Sequence, residues 1–180
     1  MQILHSDPSI LNSKGLQTLL RPRTLRLASP RFQQSVPKGY LPELLESDET
    51  FAKKIQLFPR GCLGDWHENE LAAYVFSHPW LNNEIVPLDF NLRDLPSDPN
   101  CLYIHDLAVS SRFRGRGIAD RLLKALFALA DSMSYRDFTL VAVQDSEPFW
   151  RKYGFQARSK LIYGVNTPAS KMTLTRAASA

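Results

Sequence analysis

The chain has 180 residues, 22 of them Lys or Arg and 18 Asp or Glu, and 44% are apolar. That is enough for one domain with a core, which excludes bulk disorder. The longest apolar run, 122–130, contains Lys124 and falls well short of the ~20 residues a membrane helix needs, so no membrane contact is expected. The basic excess is local. Residues 1–38 carry six basic side chains against one acid, a net of +5, and residues 39–180 carry 16 against 17, a net of −1. A near-neutral body speaks against a nucleic-acid partner, and only Phe32 interleaves the N-terminal basic residues. Cys62 and Cys101 are too sparse for a disulfide framework, so two free thiols in a reducing compartment are expected. Neither a C-x-x-C nor a His-rich tract is present, and no metal is expected.

Residues 1–17 read as a mobile basic tail and residues 18–180 as one domain. The first 38 residues are rich in Leu, Ser and Arg, with prolines at 8, 22, 30 and 37. That composition weakly resembles a mitochondrial transit peptide, and a plain tail in a cytoplasmic protein is the simpler reading. A first strand is expected near Thr18–Pro22. A helix between it and Tyr40 would contain Pro30 and meet Pro37, which predicts a short or broken helix.

Ser47 can cap a helix start, with Asp48 and Glu49 at its positive end. Phe51, Ile55 and Phe58 share one face of it, and Pro59 and Gly61 end it. Two strands follow, Cys62–His67 and Leu71–Phe76, around a polar turn. The stretch Leu81–Asn100 is a long connection with four acids and three prolines, of the length that often carries function. Cys101–Val109 is a strand. Strict alternation puts Cys101, Tyr103, His105, Leu107 and Val109 on one face and Leu102, Ile104, Asp106 and Ala108 on the other. A helix follows from about Gly117 to Asp131, then a central strand Phe138–Val143 and a short helix Pro148–Tyr153 ended by Gly154. Strands Phe155–Tyr163 and Lys171–Arg176 close the chain.

The segment from Leu107 to Ala119 is a strand, a basic Gly-rich turn and a helix start. Glycines let the backbone approach a ligand closely. The free N–H groups of the first helical turn carry about half a positive charge. Arg114 and Arg116 add full charges, so a diphosphate fits the place. The spacing suits neither a P-loop nor a dinucleotide-binding turn.

The run Arg114-Gly115-Arg116-Gly117-Ile118-Ala119 resembles the Arg/Gln-x-x-Gly-x-Gly/Ala element of the GNAT superfamily of N-acetyltransferases. Pro148–Phe155 resembles the same superfamily's element after its fifth strand. The resemblance spans roughly Tyr40 to Arg176. It implies an α/β fold, the GNAT (acyl-CoA N-acyltransferase) fold, with a mixed, mostly antiparallel central sheet flanked by helices and splayed beside the fourth strand. It implies acetyl-CoA as co-substrate and direct acetyl transfer to an amine. Leu107, Ala108 and Val109 would pair with the pantetheine arm. Arg114, Gly115, Arg116, Gly117, Ile118 and Ala119 would hold the pyrophosphate.

The stretch Tyr103-Ile104-His105-Asp106-Leu107-Ala108-Val109 is similar to the arylalkylamine (serotonin) N-acetyltransferase branch, which has His-x-His-x-Leu-Ala-Val there. His105 keeps the second histidine and Tyr103 replaces the first. An imidazole suits removal of an amine proton. Asp106 reads as structural. The branch's usual tyrosine is Trp150 here, which leaves Tyr153, Tyr103 or water to protonate the leaving thiolate. His78, Trp80 and Trp150 are candidates for the amine pocket, with Leu81–Asn100 as its cover and its acids as an attraction for a cation. The expected acceptor is a small-molecule amine, an arylalkylamine or polyamine. The alternatives are a protein or peptide amine, or a CoA-binding GNAT-fold module without turnover.

Overall fold

Ser47 accepts from the Thr50 N–H at 3.3 Å, and helix α1 runs Asp48–Leu57 as the spacing predicts. A computed structural model describes residues 23–24, 42–68 and 70–177. The predicted tail, the predicted strand at Thr18–Pro22 and the interrupted helix before Tyr40 lie outside these residues. Strand β1 is Arg23–Thr24, immediately after the predicted strand, and it pairs antiparallel with β2, Cys62–His67.

The remaining elements are β3 (Glu70–Trp80), β4 (Cys101–Val109), α2 (Ile118–Ser132), β5 (Asp137–Ala142), α3 (Glu147–Arg151), β6 (Gln156–Tyr163) and β7 (Thr167–Thr175). They form one sheet in the order β1-β2-β3-β4-β5-β7-β6, antiparallel except at β4–β5. This is the mixed, mostly antiparallel α/β sheet expected from the sequence. One face packs on α2 through Leu122, Leu126 and Ala130 against Leu102, Ile104, Phe138 and Leu140. The other packs on α1 through Phe51 and Ile55 against Tyr74, Phe76 and Ala108.

Two departures come from proline and glycine chemistry. β3 continues to Trp80, four residues past the predicted end, although it contains Pro79. The β2 ladder stops at Cys62 opposite Phe76, so Pro79 pairs only with Leu102 of β4, and its missing N–H breaks no bond on the β2 side. Gly61, beyond α1, passes so close to β3 that a Cβ would lie 2.4 Å from the Ser77 carbonyl oxygen and 2.4 Å from the Phe58 ring. Only glycine permits that crossing, which the Ser77 hydroxyl secures by donating to the Gly61 carbonyl at 3.0 Å.

β4 is not a regular strand. Phe76 faces Asp106 and Ser77 faces Ile104, so His105 has no partner residue across the ladder. That bulge shifts the alternation by one. Leu107 and Val109 join Leu102 and Ile104 on the α2 side, and Asp106 and Ala108 turn to the α1 side with Tyr103 and His105. The strict alternation expected from the sequence therefore holds through His105 and is wrong beyond it. Pairing with β5 also ends at Ile104 opposite Leu140, and the sheet splays open beside His105.

Candidate active site

The splay holds a cleft of about 220 Å³ that passes between β4 and β5. Leu107, Val109, Arg114, Ser146 and Trp150 line its α2 side. On the α1 side stand Glu46, His105 and Asp106, with Leu44, Leu88 and Tyr163 beyond them. A ligand lying in the cleft therefore reaches from one face of the sheet to the other.

On the α2 side the Gly-rich turn matches the sequence reading. Gly115 and Gly117 have φ of +75° and +68°, and a Cβ on either would meet nothing within 4 Å. Gly117 caps α2 with no side-chain bond to its first turn, so the backbone N–H groups of that turn are left to a ligand. Arg114 lies along the cleft wall, its Nε donating to the Val109 carbonyl at 3.5 Å, and Arg116 lies 5.3 Å over the Phe113 ring. Positive-φ glycines, an uncapped fifteen-residue helix and two exposed guanidinium groups suit the pyrophosphate of acetyl-CoA. Ile118 can offer such a ligand its backbone only, since its side chain is buried in the core. Gly117→Glu is expected to weaken acetyl-CoA binding at least tenfold by calorimetry, through strain at positive φ and like charge. Gly117→Ala should weaken it less, because it brings the strain alone. Retained affinity in the glutamate variant would remove this turn from the site.

On the α1 side a cluster is present that the sequence reading did not contain. Glu46 Oε1 accepts from His105 Nε2 at 2.8 Å and from the Asp89 N–H at 2.9 Å, while Oε2 pairs with Lys54 Nζ. The side chains of Lys54, His105 and Glu46 are 1%, 2% and 4% exposed. Burial alone would raise the Glu46 carboxyl; the His105 hydrogen bond and the charges of His105 and Lys54 override it and hold the group at about 2. Glu46 is thus an ionised acceptor. It fixes His105 with the proton on Nε2 and leaves Nδ1, which has no partner among the described residues, as the basic nitrogen. Burial lowers Lys54, with Glu46 and then Asp106 opposing. Asp106 accepts from the Tyr74 hydroxyl at 2.8 Å and lines the cleft beside His105.

The other candidates fall as follows. Leu107, Ala108, Val109 and Trp150 line the cleft, Trp150 on its α2 side against Phe149 and Phe155 and not with His105 on the α1 side. Tyr103 lies beside His105, ring centroids 5.9 Å apart, but is 1% exposed under Val86 and Leu92, and burial raises its hydroxyl above the usual range. Tyr153 packs on Phe149 and is not among the cleft-lining residues. His78 and Trp80 form no pocket there. His78 is 1% exposed, stacks on Tyr103 at 5.6 Å and meets Trp80 edge to face. The stretch Leu81–Asn100 is a fixed wall: Val86 and Leu92 are buried, and the Tyr163 hydroxyl donates to the Val86 carbonyl at 3.0 Å. Of its acids, Asp89 is tied to Ser47 and is no free attractor.

Sequence reasoning missed Glu46, Lys54 and Tyr163. One signal was available: Lys54 sits between Phe51 and Ile55 on the apolar stripe of α1, and a lysine there requires a buried partner.

Residues 23–155 match the profile of the acetyltransferase (GNAT) family. No curated protein matches the chain. Solved structures with this fold include Ard1 from Thermoplasma volcanium, with a TM-score of 0.66 and 18% identity over 87% of this chain and 97% of that one. The NatC complex bound to Gag peptide and CoA gives 0.68 and 14% over 88% and 99%. Arabidopsis thaliana Naa50 in complex with the bisubstrate analogue CoA-Ac-MVNAL gives 0.63 and 15% over 87% and 98%. The comparisons bear out the superfamily and give no support to the arylalkylamine branch.

Proposed function

Because the chain belongs to the acetyltransferase (GNAT) family, and is by that membership an acyltransferase, we propose that it transfers acetyl directly to a primary amine, with His105 as the base and Glu46 as the residue that positions it. The observation that carries this reading is the His105–Glu46 pair on the wall of a cleft lined from both faces of the sheet.

Acetyl-CoA, when bound, supplies the acetyl group as a thioester: the amide N–C bond forms, the C–S bond breaks, and CoA thiol and one proton are released. Amines arrive as ammonium ions, and the proton must leave before nitrogen can attack. His105 Nδ1 takes it, directly or through one water, and Glu46 stabilises the imidazolium that results. Glu46 and Asp106, against the single charge of Lys54, give the α1 side of the cleft a net negative charge that draws in a cation. Burial and its bond to Val86 occupy the Tyr163 hydroxyl, so it is not assigned as the acid for the thiolate. The thiolate is a good enough leaving group to be protonated by solvent. The acceptor on this reading is a primary amine of a small molecule or of a peptide; the peptide ligands of the NatC and Naa50 structures keep the second class in view.

The test is transfer itself. The full chain with radiolabelled acetyl-CoA and a panel of small amines and peptide amines is expected to give acetylated product and an equal amount of free CoA thiol. A chain that binds acetyl-CoA but acetylates nothing in the panel would replace this reading by the module without turnover.

A further inference from the structure

The surface at the acceptor end of the cleft narrows what carries the amine, given the transfer chemistry proposed above. Among the described residues, the exposed large apolar side chains are Leu45, Phe90, Ile162 and Val165, at 53%, 42%, 61% and 81%. Three of them lie on the segments that build the α1-side mouth. Leu45 stands between Leu44 and Glu46, Phe90 two residues after Leu88, and Val165 two residues after Tyr163; all of those neighbours line the cleft. Ile162 faces a separate groove beside Lys160 and Pro168 and plays no part here.

These segments are fastened together. The Ser47 N–H and hydroxyl both donate to Asp89 Oδ1 at 2.8 Å, and the Asp89 N–H reaches Glu46. Gly164 sits where a Cβ would lie 3.0 Å from Leu88 Cδ2 and 3.8 Å from the Glu43 carbonyl oxygen. Exposed apolar residues scattered singly mean nothing, but three on segments fastened together around one opening mark a binding surface.

The cleft is small for what it must hold. Its 220 Å³ has to take the thioester end of CoA as well as the amine. A compact arylalkylamine would end inside it and leave the outer residues in water. A polyamine would bring further ammonium groups against apolar side chains, which costs desolvation with no partner in return. Proton chemistry points the same way. An α-amine loses its proton near pH 7.7–8.0 and an alkylamine near 10.4, so an imidazole base has roughly 250- to 500-fold less to overcome with the α-amine.

We infer that the acceptor is the α-amine of a polypeptide that begins with large apolar residues, the first seated against Leu44, Leu88 and Tyr163 and the next covering Leu45, Phe90 and Val165.

The experiment compares the full chain, with acetyl-CoA, on four acceptors: a peptide beginning Met-Leu, one beginning Ser-Asp, phenylethylamine and spermidine. Expected is a kcat/KM for the Met-Leu peptide at least ten times that for each of the others. Expected also is a roughly tenfold fall, mostly in KM, on that peptide in the double variant Leu45→Asp, Val165→Asp. Acetyl-CoA binding by that variant shows that it is folded. Phenylethylamine or spermidine as the best acceptor would overturn the inference while leaving the transfer chemistry standing. A double variant that works as well as the wild type on the peptide would also overturn it. No transfer to any of the four would overturn the transfer chemistry and this inference with it.

Discussion

Replacing His105 by alanine is expected to lower kcat/KM by about 10²–10⁴-fold, the usual contribution of a positioned general base. The limb of the pH–rate profile that an imidazole base imposes should vanish with it. Glu46→Gln keeps an oxygen that can accept from Nε2–H but removes the charge that stabilises the protonated ring. Its rate should fall less, about tenfold, and the His105→Ala, Glu46→Gln pair should be scarcely worse than His105→Ala alone, because both act through one proton transfer. The glutamine variant also leaves Lys54 buried without its counter-charge, which costs about 3–5 kcal/mol of stability, so its fold has to be checked by circular dichroism before its rate is read. An unchanged pH profile in His105→Ala would take the proton away from His105, and Asp106, the next group in the cleft, would be the one to test.

The second large effect is on stability. Burial pushes His78 down from 6.5 to about 3, with the neighbouring His105 adding to it. In the unfolded chain His78 takes a proton below about pH 6.5; in the fold it stays neutral until about pH 3. The stability is therefore complete above 6.5 and is lost as pH falls toward 3. Between pH 6.5 and 4.5 the loss is about 2–3 kcal/mol, which lowers Tm by roughly 5–10 °C in a chain of this size. Glu46 adds its own loss only lower down, from 4.5 toward 2, because its depressed carboxyl then takes up protons. His78→Phe keeps the ring stack on Tyr103 and should flatten Tm across pH 6.5–4.5. Equal slopes in the two proteins would show that His78 is not what makes the fold acid-sensitive.

The cofactor half of the site was legible in the sequence because its parts are contiguous. Strand, glycine turn and helix start fall between residues 107 and 119, and backbone chemistry alone suits them to an anion. The acceptor half was not, for three physical reasons. Glu46 meets His105 across 59 positions of chain, and no spacing rule reaches that far. The bulge at His105 is a property of the β3–β4 register, so period-two reading of β4 put Asp106 on the wrong face. His78 and Trp80 looked available because β3 was expected to end at Phe76, whereas its extension carries them beneath the 81–100 wall. Leu45, Phe90 and Val165 are ordinary apolar residues in loops, and only the fastening of their segments around one opening gives them meaning.

The opening of the sheet between β4 and β5 has a consequence for traffic. Molecules that approach from opposite faces do not share a doorway, so either can enter while the other is in place, and either product can leave the way it came. Change also has room to act on one side alone. Residues on the α1 face can change without disturbing the glycine turn on the α2 face, so one sheet with one gap leaves room for different guests on one side alone.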